Sequence, residues 1–153
     1  MHDLDATDLR ILKTLQLDGR ITNAELAKRC NLSPAACLER VKRLRQRKVI
    51  LGYSTLIDPA AVNRGLLIFI EVVLDRTTGD LFDAFAAQAR KTPEIMECHM
   101  VAGGFDYLIK ARLADMDAYR AFLGDVLVHM PGVRETRTYA VMEEIKSIPM
   151  LPI

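Results

Sequence analysis

The chain has 153 residues, of which 50% are hydrophobic and 27% are charged, and its formal net charge is +1. This length suits one large or two small domains of ordinary globular composition, and no apolar run reaches the roughly 18 to 20 residues that cross a bilayer. The first ten residues are acidic without an apolar core, which excludes a signal peptide, so we expect a cytoplasmic protein with no membrane partner.

Cysteine and histidine usage argues against a metal or disulfide site. Cys30, Cys37 and Cys98 are odd in number and lack CxxC spacing, and the three histidines lie far apart in sequence. Neither a disulfide framework nor a zinc knuckle is expected from such spacings. We predict that the cysteines are small buried hydrophobic residues and that the protein holds no metal and no cofactor.

Charge is divided unevenly along the chain. Residues 1–63 contain 11 basic and 7 acidic side chains, whereas residues 64–153 contain 10 and 13. Within residues 20–48, nine basic side chains are accompanied only by Glu25 and Glu39. This asymmetry indicates a polyanionic partner for the first part of the chain and a different role for the second.

Two short helices are predicted before residue 32. The first has apolar residues one turn apart, Asp5 or Thr7 as its N-cap and Gly19 as its stop. The second begins at Thr22 or Asn23 and ends near Asn31, a residue type that tolerates the left-handed conformation.

A third predicted helix has Ser33 as its N-cap and Pro34 at its first position. With 100° per residue, its apolar side is predicted to contain Cys37, Leu38, Val41 and Leu44. Its opposite, solvent-facing side is predicted to contain Ser33, Ala36, Arg40, Arg43 and Arg47. The basic residues therefore form a stripe along one side of the helix.

A β-rich segment around Gly52, residues 49–58, follows the third helix and fits a strand or a hairpin. Three short helices with a basic third helix and a β-wing are typical of a winged helix-turn-helix, whose third helix enters the major groove of DNA. Arg40 and Arg43 can donate to guanine edges or phosphates, and Ser33 with the first helical amides can bind a phosphate. A solvated charged face is the alternative, and the scarcity of balancing acids disfavours it.

The second half of the chain has the order β-α-β-β-α-β, which is the ferredoxin-like split motif. The strands are predicted at 66–74, 95–101, 106–113 and 133–142, and the helices at 79–91 and 115–130. The first strand alternates little in hydrophobicity, so we expect both of its faces to be largely covered.

The turn AGGF joins the two middle strands. We expect Gly103 and Gly104 to supply unusual dihedral angles and to let backbone amides approach a carboxylate, while Asp106 can receive an ammonium group. The pattern fits either a small-ligand site or a simple hairpin turn. An enzyme has little support, because the sequence contains no Gly-rich phosphate loop, GxSxG or HExxH motif.

A family resemblance is carried by LDATDLRILKTLQLDGRITNAELAKRCNLSPAACLERVKRLRQRKVILGY and by ECHMVAGGFDYLIKARLADMDAYRAFLGDVLVHMPGVRETRTYAVMEEIK. These stretches resemble the Lrp/AsnC family of bacterial and archaeal transcription regulators over nearly the whole chain. The motifs LSPxxCLERVxRL and GVxxTRTYxVMEE are most similar to the leucine-responsive branch of that family.

The resemblance implies an α+β protein with a winged helix-turn-helix at 1–50, a linking strand or hinge at 51–63 and a ferredoxin-like (RAM/ACT-like) effector-binding and oligomerisation domain at 64–153. We therefore expect a sequence-specific transcription regulator of amino-acid metabolism genes. Its expected partners are double-stranded DNA, leucine or another amino acid as effector, and copies of itself in dimers that assemble into octamers.

The resemblance and the helical stripe together indicate the site residues. Contacts to DNA are expected from Ser33, Pro34, Ala35, Ala36, Arg40, Arg43 and Arg47. Effector binding at the junction between dimers is expected from Met100, Ala102, Gly103, Gly104, Asp106, Met116, Val128, Tyr139, Ala140 and Val141. Asp106 matches an acid implicated in leucine response, but Gly104 stands where leucine-responsive relatives have an acid, so the effector is leucine or another amino acid.

Another class of function remains open from the sequence. The chain fits an amino-acid-sensing module that regulates a partner protein and uses its N-terminal helices for docking instead of for DNA binding. Amino-acid binding without salt-dependent DNA binding would identify such a module.

Overall fold

The computed structural model describes residues 3–75 and 78–153. The chain forms two compact units, a helical unit of Met1–Leu56 with Lys146–Ile153 and a sheet unit of Ile57–Ile145. Within the described ranges, no helix has the length and apolar character needed to cross a membrane.

The helical unit contains α1 (Ala6–Leu17), α2 (Asn23–Arg29) and α3 (Pro34–Gln46). Each helix is capped as its sequence predicts, because the side chains of Asp5, Thr22 and Ser33 accept a hydrogen bond from the backbone N–H three residues later. The core of this unit consists of Ile11, Leu26, Ala27, Cys30, Cys37 and Leu44. The three predicted helices and the burial of two cysteines are confirmed.

Of the two residues predicted to end α1 and α2, one is confirmed and the other is wrong. Asn31 has a φ of 55°, which confirms its predicted left-handed conformation. The assignment of Gly19 as the stop of α1 is wrong, because the helix ends at Leu17 and Asp18 is already extended. A Cβ on Gly19 would lie 3.2 Å from Cδ1 of Tyr53, so the glycine instead lets that ring pack closely.

The predicted strand or hairpin at residues 49–58 is wrong for this chain, because no residue in that range belongs to a strand. Leu51 and Leu56 are 90% and 78% exposed. A strand needs the N–H and C=O groups of a neighbouring strand, and local β-propensity does not supply them. The segment is an irregular connection that leads to a short 3₁₀ turn at Ala60–Val62.

The last eight residues belong to the helical unit, although the sequence placed them with the second domain. The side-chain amide of Gln16 contacts both backbone groups of Leu151. Its Nε2 donates to the carbonyl oxygen at 3.1 Å, and its Oε1 accepts from the backbone N–H at 2.6 Å. This pair of hydrogen bonds attaches the segment to α1.

The sheet unit contains β1 (Leu66–Leu74), α4 (Gly79–Lys91), β2 (Ile95–Met100), β3 (Tyr107–Leu113), α5 (Met116–Ala121) and β4 (Val133–Ala140). A π-helical turn and a 3₁₀ turn extend α5 to residue 129. The strand order is β2-β3-β1-β4 and all pairings are antiparallel, which confirms the ferredoxin-like prediction.

The core of the sheet unit lies between one face of the sheet and its helices. The strands contribute Ile68, Ile70, Val72, Leu74, Tyr107, Ile109, Ala111 and Leu113, and the helical segments contribute Phe85, Ala89, Phe122 and Leu127. The ring of Phe85 stacks on Tyr107 with centroids 4.4 Å apart. On the face of β1 that points away from the helices, Leu67 is buried and Phe69, Glu71 and Val73 are half-buried. No residue of β1 is exposed, which agrees with the expected coverage of both faces.

Candidate nucleic-acid interface and amino-acid site

The outward side of α3 differs from the predicted stripe. Arg40 and Arg47 are half-buried, and Leu38, which was expected on the apolar side, is 54% exposed. Cys37 and Leu44 mark the buried side of the helix. With 100° per residue, the side opposite them contains four exposed residues, Ala35, Glu39, Lys42 and Gln46.

The predicted DNA-contacting residues are nevertheless grouped at the start and one flank of α3. Ser33, Pro34, Ala35, Ala36 and Arg43 are exposed. The Oγ of Ser33 accepts from the backbone N–H of Ala36 at 3.2 Å, and its own O–H can still donate to a phosphate. Nδ2 of Asn23 donates to the carbonyl of Pro34 at 2.8 Å, which ties α2 to the first turn of α3.

Arg40 and Arg43 contact two acids of the α1 segment. Nη1 of Arg40 lies 2.6 Å from Oδ2 of Asp5 and 2.8 Å from Oδ1 of Asp8. Nη2 of Arg43 lies 3.1 Å from each carboxylate oxygen of Asp8. Arg47 is held less closely, with Nη1 and Nη2 each 3.4 Å from the backbone oxygen of Asp3.

These ion pairs reduce the positive charge that α3 presents. The hydrogen bond from Arg40 holds the pKa of the Asp5 carboxyl below its usual range, and the bonds to Asp5 and Asp8 raise the pKa of the Arg40 guanidinium. Both groups are therefore charged at neutral pH. Sequence reasoning missed this compensation because it counted charges along residues 20–48, whereas the acids come from the start of α1.

The loop between β2 and β3 lies beside the C-terminal end of β1. The backbone N–H of Asp106 donates to Val72 at 2.9 Å, and its Oδ2 accepts from the backbone N–H of Leu74 at 2.7 Å. A bulge interrupts the β1–β4 pairing between Val73 and Leu74. One oxygen of the Asp106 carboxylate therefore stabilises the backbone at the bulge, and the other can receive an ammonium group.

The expectation that Gly103 and Gly104 need unusual dihedral angles is wrong. Neither residue has a left-handed φ, and a Cβ added to either would meet no atom within 4 Å. A hydrogen bond of 3.0 Å from the N–H of Val101 to the carbonyl of Asp106 closes the loop. Its length removes the need for positive φ angles, which apply to two-residue turns.

The second group of predicted effector residues lies at the opposite end of β1. Tyr139 and Ala140 pair with Phe69 and Ile68, and the N–H of Val141 donates to Leu67 at 2.9 Å. At the rise of a strand, this point is about 15 Å from the Asp106 contact at Val72. The structure of one chain therefore does not bring the two predicted groups together.

All ten predicted effector residues are at least partly exposed. Met100, Met116, Val128 and Tyr139 are between 48% and 59% exposed, which is unusual for apolar and aromatic side chains that serve only the core. The Glu71 carboxylate beside Tyr139 raises the pKa of its hydroxyl, which therefore stays protonated at neutral pH.

Two kinds of chemistry depend on the His, Cys, Asp and Glu side chains of the described residues, namely metal binding and thiol reactivity. No group of three or more His, Cys, Asp or Glu side chains in residues 3–75 and 78–153 can hold a metal ion. Burial raises the pKa of the Cys37 and Cys98 thiols, so both are poor nucleophiles at neutral pH. Cys98 is only partly buried, unlike the prediction for it.

Two family models match the chain. Residues 4–50 match a winged helix-turn-helix DNA-binding model, and residues 67–151 match the Lrp/AsnC ligand binding domain. The leucine-responsive regulatory proteins of Salmonella typhimurium and Escherichia coli K12 are 52% and 51% identical to the chain over 151 residues. Each alignment covers 99% of this chain and 92% of the relative.

Solved structures agree with these matches. A transcriptional regulator from Neisseria meningitidis, solved as a complex with L-Met, is 41% identical with a TM-score of 0.92 over 98% of this chain and 97% of its own. An AsnC family regulator from Agrobacterium tumefaciens is 29% identical with a TM-score of 0.92 over 97% of each chain. The chain belongs to the Lrp/AsnC family and is a DNA-binding transcription regulator with an amino-acid-binding domain.

Proposed function

We propose that the chain is a cytoplasmic, homo-oligomeric regulator of amino-acid metabolism genes, and that leucine or methionine changes its assembly or its affinity for operator DNA. The observation that carries the proposal is the combination, in one chain, of a capped, basic α3 with an exposed first turn and an exposed β2–β3 loop that presents Asp106. Relatives named for leucine and a structural neighbour bound to L-Met support the choice of effector class.

The proposed contacts to DNA begin at the exposed first turn of α3. Ser33, Pro34, Ala35 and Ala36 have short side chains, which allow the helix start to approach a phosphate closely. Arg43 is half exposed and supplies guanidinium donors to phosphates or base edges. Lys42 and Gln46 lie on the outermost side of α3 and extend the contact toward base edges.

The effector site is proposed to be completed by a second copy of the chain. The Asp106 loop and the Tyr139–Val141 segment lie at opposite ends of β1, and a single amino acid is shorter than the distance between them. One copy can supply Asp106 for the ammonium group while another supplies the segment around Tyr139. The proposal therefore links amino-acid binding to assembly into dimers and octamers.

The first test is fluorescence anisotropy of the protein against a labelled duplex from upstream of its own gene, across a salt series. The titration is repeated with leucine, methionine and a panel of other amino acids. We expect steeply salt-dependent binding that one amino acid shifts by about 1 to 3 kcal/mol. Binding that no amino acid shifts would contradict the proposed effector response.

Two variants locate the sites within that assay. Arg43→Ala is expected to weaken operator binding and to lower the salt slope by about one phosphate contact. Asp106→Ala is expected to retain DNA binding and lose the response to the amino acid. Asp106→Asn is the matched control, because an amide oxygen can still accept from the N–H of Leu74 while the charge is lost. An unchanged effector titration in both Asp106 variants would remove that residue from the site.

The assembly is tested on the same material. Light scattering with and without the amino acid, at the concentrations of the anisotropy assay, measures the oligomer directly. We expect a dimer or larger species in both conditions. A protein that binds the amino acid as a monomer would contradict a site shared between copies.

A further inference from the structure

Asp8 places a carboxylate at the contact between α1 and α3. Among the described residues 3–75 and 78–153, it is the one charged side chain in the buried class, with 1% exposure. A buried carboxylate is costly unless ionic partners and hydrogen bonds compensate for its lost hydration. Its partners Arg40 and Arg43 come from α3, so the charge that α1 buries is compensated by the helix that faces DNA.

The two arginines are held in different ways. Nη1 of Arg40 bridges Asp5 and Asp8, and the side chain has an exposure of only 28%. Arg43 gives only Nη2 to Asp8 and is 49% exposed. The contact of Nη2 with both carboxylate oxygens restricts the orientation of the Arg43 guanidinium, and within residues 3–75 and 78–153 its Nε and Nη1 make no hydrogen bond to another residue.

We propose that Asp8 is a positioning residue for DNA recognition. From its position on α1 it orients the guanidinium of Arg43 and thereby raises the preference for operator over random DNA. In metal sites, carboxylates that do not touch the metal orient the ligating side chains by hydrogen bonding to them, and Asp8 contacts Arg43 in a comparable way. An arginine already held in its bound orientation loses less side-chain freedom when it meets a phosphate or a guanine edge.

The negative charge of Asp8 also favours operator over random DNA, because it weakens binding to random sequence. A carboxylate next to the DNA-facing arginines opposes the general attraction of phosphate, which dominates binding to random sequence. Removing that charge should therefore leave random binding unchanged or stronger. Operator binding, which depends on the orientation of Arg43, should become weaker.

The test compares Asp8→Asn with Asp5→Asn in the 153-residue protein. Asp5→Asn removes a charge from the same cluster, keeps a side chain that caps α1 and does not contact Arg43. Affinity is measured for an operator duplex and a scrambled duplex of equal length at the same salt. We expect Asp8→Asn to reduce the ratio of the two affinities about tenfold, through weaker operator binding, and Asp5→Asn to leave it nearly unchanged.

A loss of folding would lower both affinities together, so the ratio separates positioning from stability. Arg43→Lys supplies an independent measure, because it keeps the charge at an exposed position but removes the planar group that Asp8 orients. We expect it to weaken operator binding while random binding stays at the wild-type level. In an Arg43→Ala background, Asp8→Asn should have no further effect on the ratio.

The inference rests on the proposed contact between Arg43 and DNA, and different results would overturn the contact and the role of Asp8. Wild-type operator binding by Arg43→Ala would overturn the contact itself. Weak binding by Arg43→Ala, together with an unchanged affinity ratio for Asp8→Asn, would overturn only the role of Asp8. A ratio that falls equally in Asp8→Asn and Asp5→Asn would also overturn it, because the effect would then be one of charge alone.

Discussion

The helical unit and the sheet unit place their ion pairs in different surroundings. In the helical unit, two arginines converge on a carboxylate that is 1% exposed. In the sheet unit, the acids that pair with Lys110, Arg137 and Arg112 are Glu97, Glu135 and Glu144, and they are 46%, 45% and 34% exposed. Exposed pairs contribute little to stability, whereas a buried charge depends on its partners. Where α3 lies on α1, a buried ion pair therefore adds to apolar packing, whereas the sheet unit depends mainly on apolar packing.

The largest effect that tests this comparison is expected from the core of the sheet unit. Phe85→Ala removes the ring that stacks on Tyr107 at 4.4 Å and leaves a cavity under the sheet. We expect the free energy of unfolding of this unit to fall by about 3 to 5 kcal/mol, as measured by urea denaturation. Phe85→Leu, which fills most of the space, should cost clearly less. Equal losses would indicate that packing around Phe85 is not what stabilises the unit.

The next largest effect on stability is expected from Asp8, the buried acid of the helical unit. Asp8→Ala leaves Arg43 without its carboxylate partner, although Arg40 keeps Asp5. We expect a loss of about 2 kcal/mol in the free energy of unfolding of the helical unit, because the hydrogen bonds of a buried carboxylate are lost while Arg43 stays half exposed to water. A loss below about 1 kcal/mol would show that this ion pair contributes no more to stability than the exposed pairs do, so that the two units do not differ in this respect.

A comparable or smaller effect is expected at the turn before β4. Gly132 has a φ of +71°, and a Cβ there would lie 2.5 Å from Cδ2 of Leu81. Gly132→Ala should cost about 1 to 3 kcal/mol in urea denaturation, because both the backbone angle and the space oppose a side chain. Gly104→Ala is the matched control, since its Cβ would meet no atom within 4 Å. Similar costs at the two positions would show that close packing does not limit the turn.

The smallest effect is expected from the exposed pair and depends on pH. Hydrogen bonds from Lys110 and then His99 hold the pKa of Glu97 below its usual value of 4.5. A carboxyl with a depressed pKa in the folded state stabilises the protein above its unfolded pKa, and this contribution is lost as pH falls through the folded pKa. Glu97→Gln should therefore cost less than about 1 kcal/mol at neutral pH and show a shallower loss of stability below pH 4.5. A larger cost at neutral pH would contradict the low value assigned to exposed pairs.

Features set by neighbouring residues in sequence were predictable. The caps Asp5, Thr22 and Ser33, the left-handed Asn31 and the bounds of β1 all depend on local backbone preferences and hydrophobic periodicity. The strand order of the sheet unit also followed, because its β-α-β-β-α-β order is compatible with few topologies.

Features set by tertiary contacts were not predictable. The helical period gives relative angles, but only packing against α1 shows which side of α3 is buried. Counting Leu38 as apolar shifted the predicted buried side away from Arg40, which is in fact half-buried. The family resemblance indicated two groups of effector residues at the junction between dimers but not how far apart one chain holds them. The pairing of β1 with β4 places them at opposite ends, because register depends on contacts between distant strands.

The hydrogen bonds between Gln16 and Leu151 affect the order in which the molecule is completed during synthesis. The three helices leave the ribosome first, but residues 146–153 are translated only after the whole sheet unit has been made. Domains generally fold as they emerge, from the N-terminus onward. A translation product that stops within the sheet unit therefore contains α1, α2 and α3 yet lacks the backbone partner of Gln16. The helical unit thus begins to emerge before the sheet unit but acquires its last contacts after it.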